Sequence, residues 1–158
     1  MSEQPVKEGE RIAKRLARAG LCSRRDAERW IEAGRVKVDG KVLETPACVV
    51  TDRSVIEVDG KPLQAADRPR MWRYHKPPSE MVTARDPEGR RTIFDSLPKS
   101  LPRVITVGRL DYFSEGLLLL TNDGELARKL DLPANGWTRR HRARVHGPVD
   151  EAKLAPLA

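Results

Sequence analysis

Residues 108–124, GRLDYFSEGLLLLTNDG, constrain the fold of this chain more than any other stretch. Four consecutive leucines, 117–120, form an apolar run too short for a helix and bounded by Gly116 and Asn122. Such a run predicts a strand buried on both faces. In front of it a short polar loop carries two carboxylates, Asp111 and Glu115. Behind it Asn122, Asp123 and Gly124 predict a turn that leads into a helix over 125–130. A carboxylate at the mouth of a buried strand sits on a scaffold rigid enough to hold a site. Turn chemistry alone gives an aspartate in a Gly-flanked loop a simpler role as a turn former. On spacing, Asp111 and Glu115 are equal candidates.

What such a site could act on is bounded by charge. In 158 residues, 30 lysines and arginines stand against 23 aspartates and glutamates, a formal net charge of +7. A protein this basic is expected to meet nucleic acid or another polyanion. There is no apolar run near 18 residues, no charged-then-apolar leader, and no basic amphipathic helix with a bulky apolar face. The expectation is therefore a cytoplasmic protein without a membrane partner. Aromatic residues make up only 4% of the chain, so stacking on bases cannot be a widespread device. Cys22 and Cys48 lie far apart with no CxxC spacing, and they read as reduced small hydrophobes. No metal site is expected.

The chain divides into two domains. Residues 1–10 are polar and unpatterned and predict a flexible arm. Ile12, Leu16 and Ala19 recur at helical spacing, and Gly20 closes that helix. Ser23 opens a second helix with Asp26 three residues on, in a capping-box arrangement. Ala27, Trp30 and Ile31 supply its buried face and Gly34 ends it. Two similar strings follow, Val38-Asp39-Gly40-Lys41 and Val58-Asp59-Gly60-Lys61, each placing Asp-Gly between extended flanks as a hairpin does. Residues 11–64 are thus a small module of two helices and short strands, 65–70 a linker, and 71–158 a second domain. In the second domain Met71 to Tyr74 predict a strand that the His75-Lys76-Pro77-Pro78 string breaks. Residues 81–83 and 104–107 predict further short strands, 139–145 another extended run, and 148 onward a helix.

Basic residues crowd into the first module: Arg11, Lys14, Arg15, Arg18, Arg24, Arg25, Arg29, Arg35 and Lys37. Arg24 and Arg25 fall in the first turn of the second helix, where free N–H groups and the helix dipole already favour an anion. Cations placed there cost helix stability, which a phosphate partner would offset. A cluster of this size favours phosphate binding over a merely solvated face. The string RIAKRLARAGLCSRRDAERWIEAGRVKVDGKVL resembles the S4 RNA-binding module. That resemblance implies a sequence-tolerant grip on structured RNA, with Ser23 and the second helix against phosphates.

In the second domain, a strand continued from Val107 to Asp111 would set Arg109 and Asp111 on one face. The cation would then keep the carboxylate ionised, and an ionised aspartate serves as nucleophile or base. Spacing goes no further. The string GRLDYFSEGLLLLTNDGELARKL, with YHKPPSE, DPEGRRTIFDSLP and LPRVITVGRLD beside it, resembles the pseudouridine synthases that modify single ribosomal RNA uridines, most closely their large-subunit branch. The resemblance implies an α+β protein, an S4 module followed by a catalytic domain on a mainly antiparallel sheet. It makes Asp111 the catalytic aspartate and Arg109 a substrate contact. The implied reaction breaks the N1–C1′ bond of a uridine, turns the base and rejoins it through C5; no atom is gained or lost, so no cofactor is implied. Ribosomal RNA or an assembly intermediate is the implied partner, with the protein acting as a monomer. An S4 protein that grips RNA during ribosome assembly without chemistry is the alternative.

Two departures stand out. Aligning WTRRHRARVHG puts His141 where the family has a tyrosine that stacks on the target base. Histidine is also planar and can stack or move a proton. The family's late basic segment of the EGRNRxVRR type is not found in these 158 residues, so the second domain is expected to be the N-terminal part of a longer catalytic domain.

Overall fold

A computed structural model describes residues 9–157 of the chain; residues 1–8, most of the expected arm, lie outside them. Glu10 does not belong to a loose arm. With Arg11 it forms strand β1 (Glu10–Arg11), which pairs antiparallel with β4 (Val49–Val50). Helix α1 (Ile12–Arg18) follows at once, anchored by Ile12 N–H donating to the Cys48 carbonyl at 3.0 Å. Helix α2 (Arg24–Glu32) starts at the Ser23 cap, and the capping box forms: Asp26 N–H donates to Ser23 Oγ at 3.0 Å and the Asp26 carboxylate accepts from Ser23. Ile12, Leu16, Ala27 and Ile31 turn inward from the two helices and are buried with Val36, Val50 and Ile56.

The two Asp-Gly strings both make two-residue hairpins. Strand β2 (Val36–Val38) pairs with β3 (Lys41–Val42) and with β5 (Ile56–Val58), which in turn pairs with β6 (Lys61–Pro62), giving the order β3-β2-β5-β6. Asp39 and Gly40, then Asp59 and Gly60, all take positive φ, the double left-handed corner whose twist matches that of antiparallel strands. Residues 63–70 carry no regular structure.

The second sheet is antiparallel throughout, with the 117–120 leucines at its centre. Strand β9 (Gly116–Thr121) lies between β7 (Met71–Lys76) and β8 (Ile105–Val107). Trp72, Tyr74 and Lys76 face the same side as Leu120, Leu118 and the Gly116 position. The segment between β7 and β8, with the short helix α3 (Ile93–Ser96), covers this face, and Val82, Ile93, Val104, Leu118 and Leu120 form its core. The Thr92–Asp95 capping box that starts α3 is the signal for this unexpected helix.

The expectation of a strand buried on both faces needs correcting. Leu118 is 3% exposed, but Leu117 is 65% exposed. Helix α4 (Gly124–Asp131) packs on β8 and β9, with Gly124 beside Ile105, and Thr121 is fully buried while Leu117 at the other end of the strand stays open. Other expectations also change. Strand β7 is not broken at His75 but runs through Lys76, since Pro77 is the first residue without an N–H to donate. Residues 81–83 make a single parallel bridge, Met81 to Thr92, rather than a strand. Residues 139–145 form no strand, because no neighbouring strand among the described residues pairs with them. Past a 3-10 turn at Pro133–Asn135, the chain is exposed as far as helix α5 (Glu151–Leu154). The whole is an α+β chain.

Candidate active site and RNA interface

Strand β8 stops at Val107 because Gly108 turns out of the sheet with φ +69. A side chain at position 108 would also crowd Asp131 Oδ1, 3.1 Å from where a Cβ would stand, beside the Asp131–Arg139 ion pair of 2.8 Å. The strand therefore does not continue to Asp111, and the shared face expected for Arg109 and Asp111 does not form. Arg109 is exposed, and among the described residues it makes no ion pair with Asp111.

Asp111 instead opens a β-turn. Ser114 N–H donates to the Asp111 carbonyl at 3.1 Å, placing Tyr112 and Phe113 at the corner. Asp111 is exposed at its rim. What fixes this turn is Lys76, a fully buried lysine at the end of β7. Its Nζ donates to three backbone carbonyls: Pro77 at 2.9 Å, Tyr112 at 3.1 Å and Ser114 at 2.8 Å. Ser79 N–H adds a second donor to the Tyr112 carbonyl at 2.8 Å. Burial pushes the Lys76 pKa down, while the nearby charges of Glu80 and Asp111 pull it back up. An ammonium with all three protons placed can be tolerated in the interior. It ties the strand, the proline turn and the Asp111 turn into one rigid unit.

A second polar group braces the same unit. Glu80, almost fully buried, accepts from the Tyr74 hydroxyl at 2.7 Å and from Ser96 Oγ, with Arg91 Nε at 3.4 Å. Arg91 also donates to Ser96 Oγ at 3.0 and 2.8 Å. On the outer side, Arg90 is held by Asp86 through a forked pair, at 3.1 and 2.9 Å, and its guanidinium lies 6.0 Å from the Tyr112 ring centre. The Arg90 hydrogen bond to the Asp86 side chain is the main reason that carboxyl titrates below its usual range.

Sequence reasoning missed Lys76, although a signal was present. Trp72, Tyr74 and Lys76 alternate along one strand, so the period that buries the aromatics also turns the lysine inward. Glu115, the other carboxylate candidate, is exposed beyond the turn, just ahead of β9. His141 is exposed in the stretch without regular structure and is not brought to Asp111 by any contact among the described residues. Among the described residues no cluster of three or more His, Cys, Asp or Glu side chains could hold a metal.

The basic residues of the first domain separate into two sets. Glu10 gathers three of them: Lys14 at 3.8 Å, Arg15 at 3.1 Å and Arg18 at 3.0 Å. Arg15 also reaches Asp52 at 2.8 Å, and Lys14 pairs with Glu125 at the start of α4. Arg29 pairs with Asp26; Arg35 pairs with Asp59 at 2.9 and 2.6 Å and lies over the Trp30 ring at 4.6 Å. Arg11, Arg24, Arg25 and Lys37 are exposed, and among the described residues no ion pair engages them. Arg24 and Arg25 form the first turn of α2, where their open charges add to the positive end of the helix dipole.

Residues 10–55 match the S4 domain family model, and residues 70–156 match the model described as RNA pseudouridylate synthase. A protein of Rickettsia felis named "Uncharacterized RNA pseudouridine synthase" is 48% identical over 141 residues, 89% of this chain and 61% of that protein. "Ribosomal large subunit pseudouridine synthase B" of Escherichia coli O157:H7 is 47% identical over 94% of this chain and 53% of its own length. The protein of that name from Haemophilus influenzae is 44% identical over 99% of this chain and 45% of its own length. A solved structure titled "Crystal structure of pseudouridylate synthase" overlaps 78% of this chain and 53% of its own, with a TM-score of 0.43 and 22% identity. The chain belongs to the RNA pseudouridylate synthase family and carries an S4 domain ahead of its synthase region. It spans between about half and three fifths of the length of most of these curated relatives.

Proposed function

We propose that this chain forms the RNA-gripping and aspartate-bearing part of an enzyme that isomerises a uridine of ribosomal RNA, in the large subunit, to pseudouridine. The observation that carries the reading is the position of Asp111. It is exposed on a turn whose neighbouring carbonyls are locked by a buried lysine, inside the region that matches the synthase family. A carboxylate held this way is preorganised to attack the sugar at C1′, to add to the base at C6, or to take a proton from C2′. In each case the N1–C1′ bond breaks and C5 bonds to C1′; the proton leaves C5 and N1 gains one, so the balance closes within the nucleotide. Because the reacting atoms lie within the RNA fold, the uridine must be flipped out to reach Asp111. Arg109 and His141 would contact it there, and Arg11, Arg24, Arg25 and Lys37 would hold the flanking phosphates. We place the protein in the cytoplasm, acting as a monomer on ribosomal RNA or an assembly intermediate; no helix among the described residues is long and apolar enough to cross a membrane.

The test is incubation with protein-free or partly assembled large-subunit RNA, followed by carbodiimide-primed reverse-transcription mapping. A pseudouridine stop is expected that Asp111→Asn reduces by at least about 10²-fold. If no Asp111-dependent stop forms, the enzymatic reading fails for this chain and RNA binding alone remains.

A further inference from the structure

Phe113 is 79% exposed, more than any other large hydrophobic side chain described, and it stands two residues from Asp111 at the corner of the same turn. A phenylalanine left in water forgoes the favourable transfer that drives burial, so the ring is free to pack on an incoming apolar surface. Its exposure is not that of a frayed loop. The carbonyls of both its neighbours, Tyr112 and Ser114, accept from the buried Lys76 ammonium. The ring meets Tyr112 edge-on, with centroids 4.9 Å apart and planes at 76°. The Arg90 guanidinium, itself fixed by Asp86, lies 6.0 Å from the Tyr112 ring centre. The turn thus holds an aromatic plate in a defined pose, with one edge braced.

We propose that Phe113 is a stacking platform for an unpaired nucleobase beside the uridine that enters at Asp111. The inference rests on the RNA-modifying reading and names a base contact that this reading leaves unassigned. The occupant is chosen by chemistry. The chain carries a net charge of +7, and Arg109, exposed and without an ion pair among the described residues, stands two residues before Asp111, so an RNA strand is the polyanion drawn there. Every base presents a π face, and stacking on an aromatic side chain is the sequence-tolerant way to hold a base that has left its helix. Opening a helix to flip one uridine leaves its neighbours without a stacking partner, and a plate next to the catalytic group offsets that loss.

The experiment measures fluorescence anisotropy of a labelled single-stranded oligouridylate, and of the same strand with abasic sites, binding to the chain in an Asp111→Asn background. Phe113→Ala and Phe113→Leu are expected to weaken oligouridylate binding at least about fivefold, and Phe113→Trp to retain it. The abasic strand should bind all variants alike. Leucine keeps the apolar area and loses the π face, so oligouridylate binding by Phe113→Leu equal to that of the parent overturns the proposal. An equal loss on the abasic strand also overturns it, by showing that the effect does not depend on a base. Because binding is read without turnover, loss of pseudouridine mapping with these effects intact sinks the enzymatic reading alone.

Discussion

Tyr74 and Lys76 show how single side chains on one strand tie the candidate site to the core. Both point to the covered side of β7, where one hydroxyl and one ammonium must find partners. Tyr74 finds Glu80. Burial first, and then that hydrogen bond, push its pKa from 10 up to about 12. A tyrosine in the unfolded chain releases its proton near pH 10, while the folded chain still holds it. The stability this contributes is therefore fully present below pH 10 and is lost as the pH rises through about 12. Tyr74→Phe should flatten stability across that interval, as read by urea melts at a series of alkaline pH values. An undiminished slope in the variant would show that another group titrates there. Lys76 was hidden in the sequence by its surroundings, because a lysine before two prolines reads as a solvated turn. Only the register of β7 against β9 shows that its Nζ lies under the Asp111 turn.

At the scale of elements, strand β9 carries the sharpest contrast. Its neighbours Leu117 and Leu118 are chemically identical and adjacent in sequence, yet one is open to solvent and the other sealed. Leu118→Ala should cost about 2–5 kcal/mol through lost burial and the cavity left behind, whereas Leu117→Ala should stay within about 0.5 kcal/mol. Denaturant melts of the two variants decide it, and equal losses would mean that the outer face is covered in solution. Four leucines in a row name a strand and suggest two covered faces, but composition cannot say how far a helix reaches across a sheet. Helix α4 is held close to β9 by its own start, since Asp123 accepts from Glu125 and Leu126 N–H and Thr121 Oγ1 accepts from Asp123 N–H. That short turn confines α4 to the Thr121 end. The hairpins and the α2 cap were legible because their determinants are local; the extended run around His141 was misjudged because a strand needs a neighbour.

For the whole molecule, the question is which part of its charge is open to RNA. The sequence counts Lys14, Arg15 and Arg18 with the other cations, but folding brings Glu10 and Asp52 to them and neutralises much of that helix face. The open set at the start of α2 should dominate phosphate contact. Changing Arg24 and Arg25 together to alanine should weaken binding to structured RNA and reduce the slope of log K against log salt by about 1.8, if each meets one phosphate. Arg15→Ala should change that slope little. Titrations at a series of salt concentrations separate the two, and a slope unchanged by the double substitution would move the RNA to another face.

The sequence by itself determined the two-part α+β plan, the caps and Asp-Gly corners, the strand through 117–120 and the aspartate in front of it. The caps and corners rest on interactions between residues close along the chain, and the strand on a local apolar pattern. Tertiary structure alone decided that Arg109 and Asp111 share no strand, that Lys76 rather than a neighbouring arginine organises the Asp111 turn, and that one face of β9 stays open at its Leu117 end. It also decided which cations are spent on carboxylates and which remain for RNA. Those outcomes depend on groups tens of residues apart, whose meeting is set by sheet register and by the reach of a few connections.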